Sequence, residues 1–153
     1  MSLKVTLLGT GVGIPQPGRS QSALIIENGS PLLFDCGAGT LLRLAEADIN
    51  VEDLDTVVLT HLHLDHSADV LALANARYLL GLSGLEVYGP TGTAQWLQIQ
   101  QSAYPYLEKM AVCVDELRPM DDVSLKGCDI FAEDAKHSVI RAARDRRSSA
   151  ALD

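Results

Sequence analysis

The chain has 153 residues, with 12 Lys and Arg against 20 Asp and Glu, a formal net charge of −8, and 47% hydrophobic, 21% charged and 5% aromatic residues. One domain's worth of chain with that apolar fraction excludes intrinsic disorder, and no run of about 18 apolar residues exists to span a membrane. The acidic balance also disfavours a protein that grips nucleic acid over many phosphates, because counterion release needs a basic face.

Leu3, Val5 and Leu7 alternate with Lys4 and Thr6, which predicts a strand with one buried face ending at Gly9. The start Met1-Ser2-Leu3-Lys4-Val5 runs straight into that strand without a secretory pattern, so the cytoplasm is the expected compartment. Gly9-Thr10-Gly11-Val12-Gly13-Ile14-Pro15 is a glycine loop, but Gln16 stands where a dinucleotide fingerprint needs its third glycine. Residues 23–27 and 32–34 read as a hairpin around Asn28-Gly29-Ser30-Pro31. A second glycine loop, Asp35-Cys36-Gly37-Ala38-Gly39, leads into a helix with Leu41, Leu44 and Ala45 on its inner face.

Residues 56–60, Thr-Val-Val-Leu-Thr, form a continuous β-branched run expected to be a strand covered on both sides. Residues 67–80 read as a helix facing the core through Leu71, Ala74 and Tyr78 and closed by Gly81. A strand over 85–88 and a helix over 93–103 continue a β/α alternation suited to a layered α/β domain. Further strands are expected at 112–116, 123–125 and 129–132, the last two joined through Lys126-Gly127-Cys128. Trp96, Tyr104 and Tyr106 read as packing residues, and Cys36, Cys113 and Cys128, odd in number and without a C-x-x-C pair, as reduced and mostly buried. Near residue 140 the composition changes: residues 141–153 carry four Arg among Ala and Ser, with neither an apolar face nor turn chemistry. Two segments follow, a folded domain over 1–140 and an atypical tail over 141–153.

Three of the four histidines fall within His61-Leu62-His63-Leu64-Asp65-His66. Directly after a buried strand, His61 and His63 project to one side, and Asp65 and His66 arrive as the chain turns into a helix. Imidazole and carboxylate suit zinc and similar ions, and the carboxyl end of a strand is where α/β sheets place their sites. The competing reading takes them as polar loop residues with Asp65 as a helix N-cap.

The pattern His61-x-His63-x-Asp65-His66 after Thr-Val-Val-Leu-Thr resembles the signature of the metallo-β-lactamase superfamily. Leu8-Gly9-Thr10-Gly11, Phe34-Asp35-Cys36-Gly37-Ala38-Gly39-Thr40 and Tyr88-Gly89-Pro90 look like its ribonuclease Z and phosphodiesterase branch, over roughly residues 3–138. The resemblance implies an α/β fold, the αββα sandwich, represented here mostly by its N-terminal half. It implies a metal-dependent hydrolase of the phosphodiesterase type that activates water on two zinc ions, with manganese or iron(II) as other suitable metals. His61 and His63 would bind one ion together with His137. Asp65 and His66 would bind the second, with Asp65 also acting catalytically by orienting the attacking water. The family's bridging carboxylate and final histidine have no clear counterpart: Asp153 is the one candidate for the former, and no histidine follows His137. Asp35 is a candidate hydrogen-bond partner behind a ligand imidazole, or simply a turn-forming Asp.

A half sandwich would leave an apolar sheet face wet, which favours association, so a homo-oligomer is expected. The expected substrate is a small phosphodiester, a cyclic nucleotide or another ester, with nucleic acid less favoured by the charge. The alternative is a truncated, weakly active or inactive metal-binding remnant that associates with another chain. A nucleotide-binding module using the Gly9 to Gly13 loop ranks behind both.

Overall fold

Two kinds of strand pairing meet in one sheet. The computed structural model describes residues 3–135, and in it strands β1 (Lys4–Gly9), β2 (Ala23–Asn28) and β3 (Ser30–Phe34) form an antiparallel meander. Strands β4 (Thr56–Val58), β5 (Leu85–Pro90) and β6 (Val112–Leu117) then add in parallel, giving the order β1-β2-β3-β4-β5-β6. The crossovers carry the helices: α1 (Thr40–Glu46) before β4, α2 (Leu64–Ser67) and α3 (Val70–Leu79) before β5, and α4 (Thr93–Ser102) before β6. A separate hairpin, β7 (Asp122–Leu125) with β8 (Cys128–Phe131), turns at Lys126 and Gly127, both in the left-handed region at φ 50° and 76°. None of the helices among the described residues is long and apolar enough to cross a membrane.

Strand register builds the core. Ile25, Leu33, Val57, Val87 and Val114 stand in successive cross-strand pairs, and the first four are fully buried under the helices. Leu44, Val70, Leu73 and Leu97 pack onto that row from α1, α3 and α4. Each such side chain contributes about 1.5–3 kcal/mol relative to an exposed position. On the opposite face Leu32 and Val58 are covered by Leu125, with Phe34, Tyr88, Val123 and Ile130 around them. The hairpin is tied down at its turn, where Asn28 Nδ2 donates to the Gly127 carbonyl at 2.7 Å and Lys126 Nζ lies 2.8 Å from Asp55 Oδ1.

Several expectations are corrected. Leu3, Val5 and Leu7 are exposed by 60%, 53% and 65%, because they share the face that the β7–β8 hairpin covers only over its centre. The buried residue of β1 is Leu8, which joins the helix side. In α1 Leu44 is buried, whereas Ala45 is exposed and Ile49 beyond the helix packs in its place. Of the expected helix over 67–80, α3 covers Val70–Leu79 while Ser67 closes α2; Ala74 is buried and Leu71 packs partly against the core as expected, but Tyr78 is exposed, and Val70, Leu73 and Arg77 complete the inner face. Strand β4 stops at Val58, although Leu59 stays buried and donates its N–H to the Tyr88 carbonyl at 2.7 Å. Trp96 packs against the core, but Tyr104 and Tyr106 are exposed, edge to face with each other. Of the three free cysteines Cys36 is buried, Cys128 half-buried and Cys113 exposed.

Arg77 has no counterpart in the expectations. It is buried, and its guanidinium donates to the carbonyls of Val51, Glu52, Leu54, Ser83 and Gly84 at 2.9–3.2 Å. A buried charge is tolerated when its donors are satisfied, and here they fasten the entrances of both β4 and β5.

Candidate metal centre

Strand β4 points its carboxyl end at the histidine segment. After Leu59 the chain leaves the sheet, runs extended through His63 (φ −63°, ψ 147°) and enters α2, whose first turn carries Asp65 and His66. His63, not Asp65, occupies the N-cap, and no side chain caps the helix, which removes the reading of Asp65 as a capping residue. The turn is held from within by His66 N–H to the His63 carbonyl at 2.9 Å and Ser67 Oγ–H to the same oxygen at 2.9 Å.

The second glycine loop clamps it from outside. Cys36 N–H donates to the His66 carbonyl at 2.7 Å, and Asp69 N–H returns a bond to the Cys36 carbonyl at 2.9 Å. Ser22 N–H reaches the Asp65 carbonyl at 3.0 Å. Asp69 Oδ2 in turn accepts from Gly39 N–H at 3.0 Å and Leu41 N–H at 3.3 Å, so the entrance of α3 holds the entrance of α1. This interlock explains Gly37: a Cβ there would stand 2.1 Å from the Asp65 carbonyl oxygen.

Asp35 is the hub. It is buried, sits in the left-handed region at φ 55°, and accepts from every side. Its Oδ2 lies 2.6 Å from His66 Nδ1 and 3.1 Å from Ser22 Oγ, and its Oδ1 accepts from Thr60 N–H and Thr60 Oγ–H, each at 2.9 Å. A left-handed conformation is unfavourable for most residues, but Asp tolerates it, and four donor groups over-determine the position. With Nδ1 of His66 committed to Asp35, its Nε2 faces Asp65 Oδ2 at 3.8 Å. The rings of His61 and His63 have centroids 4.7 Å apart, and those of His61 and His66 4.0 Å apart. Burial, reinforced by the charge of Asp69, pushes the Cys36 thiol far up, so the cysteine beside the site stays protonated and is not a nucleophile.

The structure thus gathers His61, His63, Asp65 and His66 at one rim and places Asp35 behind His66. Among the described residues no three His, Cys, Asp or Glu side chains are placed so that together they could hold a metal ion. His137 and Asp153, expected as further ligands, and the tail over 141–153 lie outside the described residues. The donor set nevertheless suits a borderline divalent cation, and the His66 ring is oriented as ligand imidazoles are, by a carboxylate on its other nitrogen. Sequence reasoning missed Thr60, Ser22 and Asp69. Thr60 ends an apolar β-branched run and reads as one more strand residue; Ser22 and Asp69 reach the site only through the fold.

A six-stranded mixed sheet with helices on one face and a His/Asp rim at the end of β4 matches about half of the metallo-β-lactamase fold, in its ribonuclease Z-like form. The solved metallo-β-lactamase fold protein YhfI of Bacillus subtilis is 29% identical, with a TM-score of 0.66, over 80% of this chain and 48% of that one. Human tRNase Z, short form, is 31% identical with a TM-score of 0.65, over 73% of this chain and 43% of that one. Ribonuclease Z of Methanopyrus kandleri is 36% identical over 138 residues, 90% of this chain and 47% of that protein. More narrowly, residues 3–90 match the family described as Anti-Pycsar protein Apyc1, and the chain belongs to that family. It spans about half the length of the curated relatives it matches.

Proposed function

We propose that the chain acts as a metal-dependent hydrolase of the phosphodiesterase, ribonuclease Z-like type, with His61, His63 and His137 serving one ion and Asp65 and His66 a second. The observation that carries this reading is the Asp35 to His66 contact at 2.6 Å within a cluster of three imidazoles and one carboxylate. Zinc bound there would supply a water nucleophile at neutral pH and offset negative charge at phosphorus. Asp35 fixes the His66 ring, and the Asp65 carboxylate orients the attacking water. The net charge of −8 supports a small phosphodiester or other ester over a long nucleic acid. The test is metal content together with hydrolysis of bis(p-nitrophenyl) phosphate. Two zinc equivalents per chain and hydrolysis lost in His63→Ala are expected; a chain that holds no metal and cleaves nothing refutes the reading.

A second reading is favoured by the exposed Leu3, Val5 and Leu7 strip: a weakly active or inactive metal-binding chain that associates with another copy through that face. Light scattering after size exclusion then shows a dimer that Leu7→Thr weakens. A monomer at all concentrations removes it.

A further inference from the structure

We propose that Thr60 is a positioning residue whose single hydroxyl carries the orienting effect of Asp35 on to His61, so that one carboxylate sets the proton position of two imidazoles. The argument is a count of protons. Thr60 Oγ lies 2.9 Å from Asp35 Oδ1, 3.1 Å from Asp35 Oδ2 and 3.1 Å from His61 Nδ1. A hydroxyl has one hydrogen to give and two lone pairs to receive with. A carboxylate only accepts, and a hydrogen bond to a charged acceptor outcompetes one to a neutral nitrogen, so the hydrogen goes to Asp35. Toward His61 the oxygen must then accept, which places the proton of neutral His61 on Nδ1. Thr60 Oγ is 3.5 Å from His66 Nδ1, too distant to compete with the direct contact of that nitrogen to Asp35 at 2.6 Å. Accepting from His66, Asp35 itself therefore holds the proton of the neutral His66 ring on Nδ1, and Thr60 does the same for His61. Both rings then present Nε2 as the lone-pair nitrogen, the form that receives a cation.

The backbone makes the arrangement stiff. Thr60 N–H also donates to Asp35 Oδ1 at 2.9 Å, so main chain and hydroxyl of one residue grip the same carboxylate, and the χ1 rotamer of a β-branched side chain is restricted. Serine keeps the hydroxyl and valine keeps the shape without it, which separates the two contributions.

The inference rests on the proposed metal-centre reading for its purpose but not for its test. In the metal-free 153-residue chain, long-range nitrogen–proton correlation spectra recorded across alkaline pH distinguish pyrrole-type from pyridine-type ring nitrogens. His61 is expected to show a pyrrole-type Nδ1 in the wild type and in Thr60→Ser, and a mixture of tautomers in Thr60→Val, with the His66 signature unchanged. Zinc affinity, titrated with the metal alone, is expected to fall by about 10- to 100-fold in Thr60→Val and to recover in Thr60→Ser. A pyrrole-type Nε2 on His61 in the wild type overturns the inference without any variant having to fold. So does a Thr60→Val spectrum identical to wild type. Failure of the wild type to bind zinc strikes the proposed function instead and leaves the tautomer result to stand or fall alone.

Discussion

Replacing Asp35 is the sharpest test of how the site is held. Of its four donor groups, the hydroxyls of Ser22 and Thr60 can turn to other partners, but Thr60 N–H and His66 Nδ1–H are fixed by the backbone and by the ring. Hydrogen bonds to a charged group are worth about 1.5–3 kcal/mol each, and a fixed donor left facing a void adds its desolvation cost. Asp35→Ala also puts a Cβ residue without a hydrogen-bonding side chain at φ 55°, which costs about 1 kcal/mol more. With water entering the gap, the total is expected near 4 kcal/mol, a large share of a stability of about 5–15 kcal/mol. Asp35→Asn tolerates the left-handed backbone and keeps one acceptor for Thr60 N–H, but turns its amide toward His66, so about 2 kcal/mol is expected, with the His66 proton moving to Nε2. Urea unfolding followed by circular dichroism measures both, with unchanged slopes required for the comparison. An Asp35→Ala loss below about 1 kcal/mol, or equal losses in the two variants, refutes the view of Asp35 as the anchor.

Arg77→Ala removes five hydrogen bonds to backbone carbonyls, one buried and four part-buried, and is expected to cost about 3 kcal/mol by urea unfolding, with Arg77→Lys recovering little because an ammonium cannot reach both loops. Gly37→Ala drives a methyl into the Asp65 carbonyl and is expected to shift the backbone amide resonances of Ser22, Cys36 and His66 and to lower stability by more than about 2 kcal/mol. Native-state alkylation is expected to modify Cys113 rapidly and Cys36 only on unfolding, as read by peptide mass mapping. Burial works to raise the Asp55 pKa, but hydrogen bonds from Lys126 and Thr56 and the charges of Lys126 and Arg77 together hold it below its ordinary value. A depressed carboxyl pKa stabilises the fold above the unfolded value and ceases to do so as pH falls through the folded one. Lys126→Ala is therefore expected to remove stability at neutral pH, and the deficit to vanish in acid; the pair is partly exposed, so the effect stays below about 1 kcal/mol.

Much of this was legible in the residues because local rules and the fold agree. Glycine at the ends of β1 and α3 and the Asn28-Gly29 turn each mark a boundary that the structure keeps, and the apolar run before His61 marks a buried strand, though one that stops at Val58. What was illegible depends on partners distant in sequence. The inner face of α3 includes the buried guanidinium of Arg77, which no hydrophobic count would place inside. Period-2 patterning announced that one face of β1 is apolar, but not that Leu3, Val5 and Leu7 stand on the side where the β7–β8 hairpin falls short. At the site, the histidines announced themselves by density, whereas Thr60 looks like any β-branched residue until the fold brings it to Asp35.

Strand β4 is only three residues long, yet all three are buried and it is hydrogen-bonded to β3 on one side and β5 on the other. Asp35 follows directly on β3 and the histidine segment follows on β4, so the two halves of the constellation are mounted on adjacent rails. Fraying of the edges does not separate them; only an opening that breaches the middle of the sheet does. Deuterium uptake at Val57 and Val58 should accordingly be among the slowest in the molecule, and the rim should breathe no more often than those amides do.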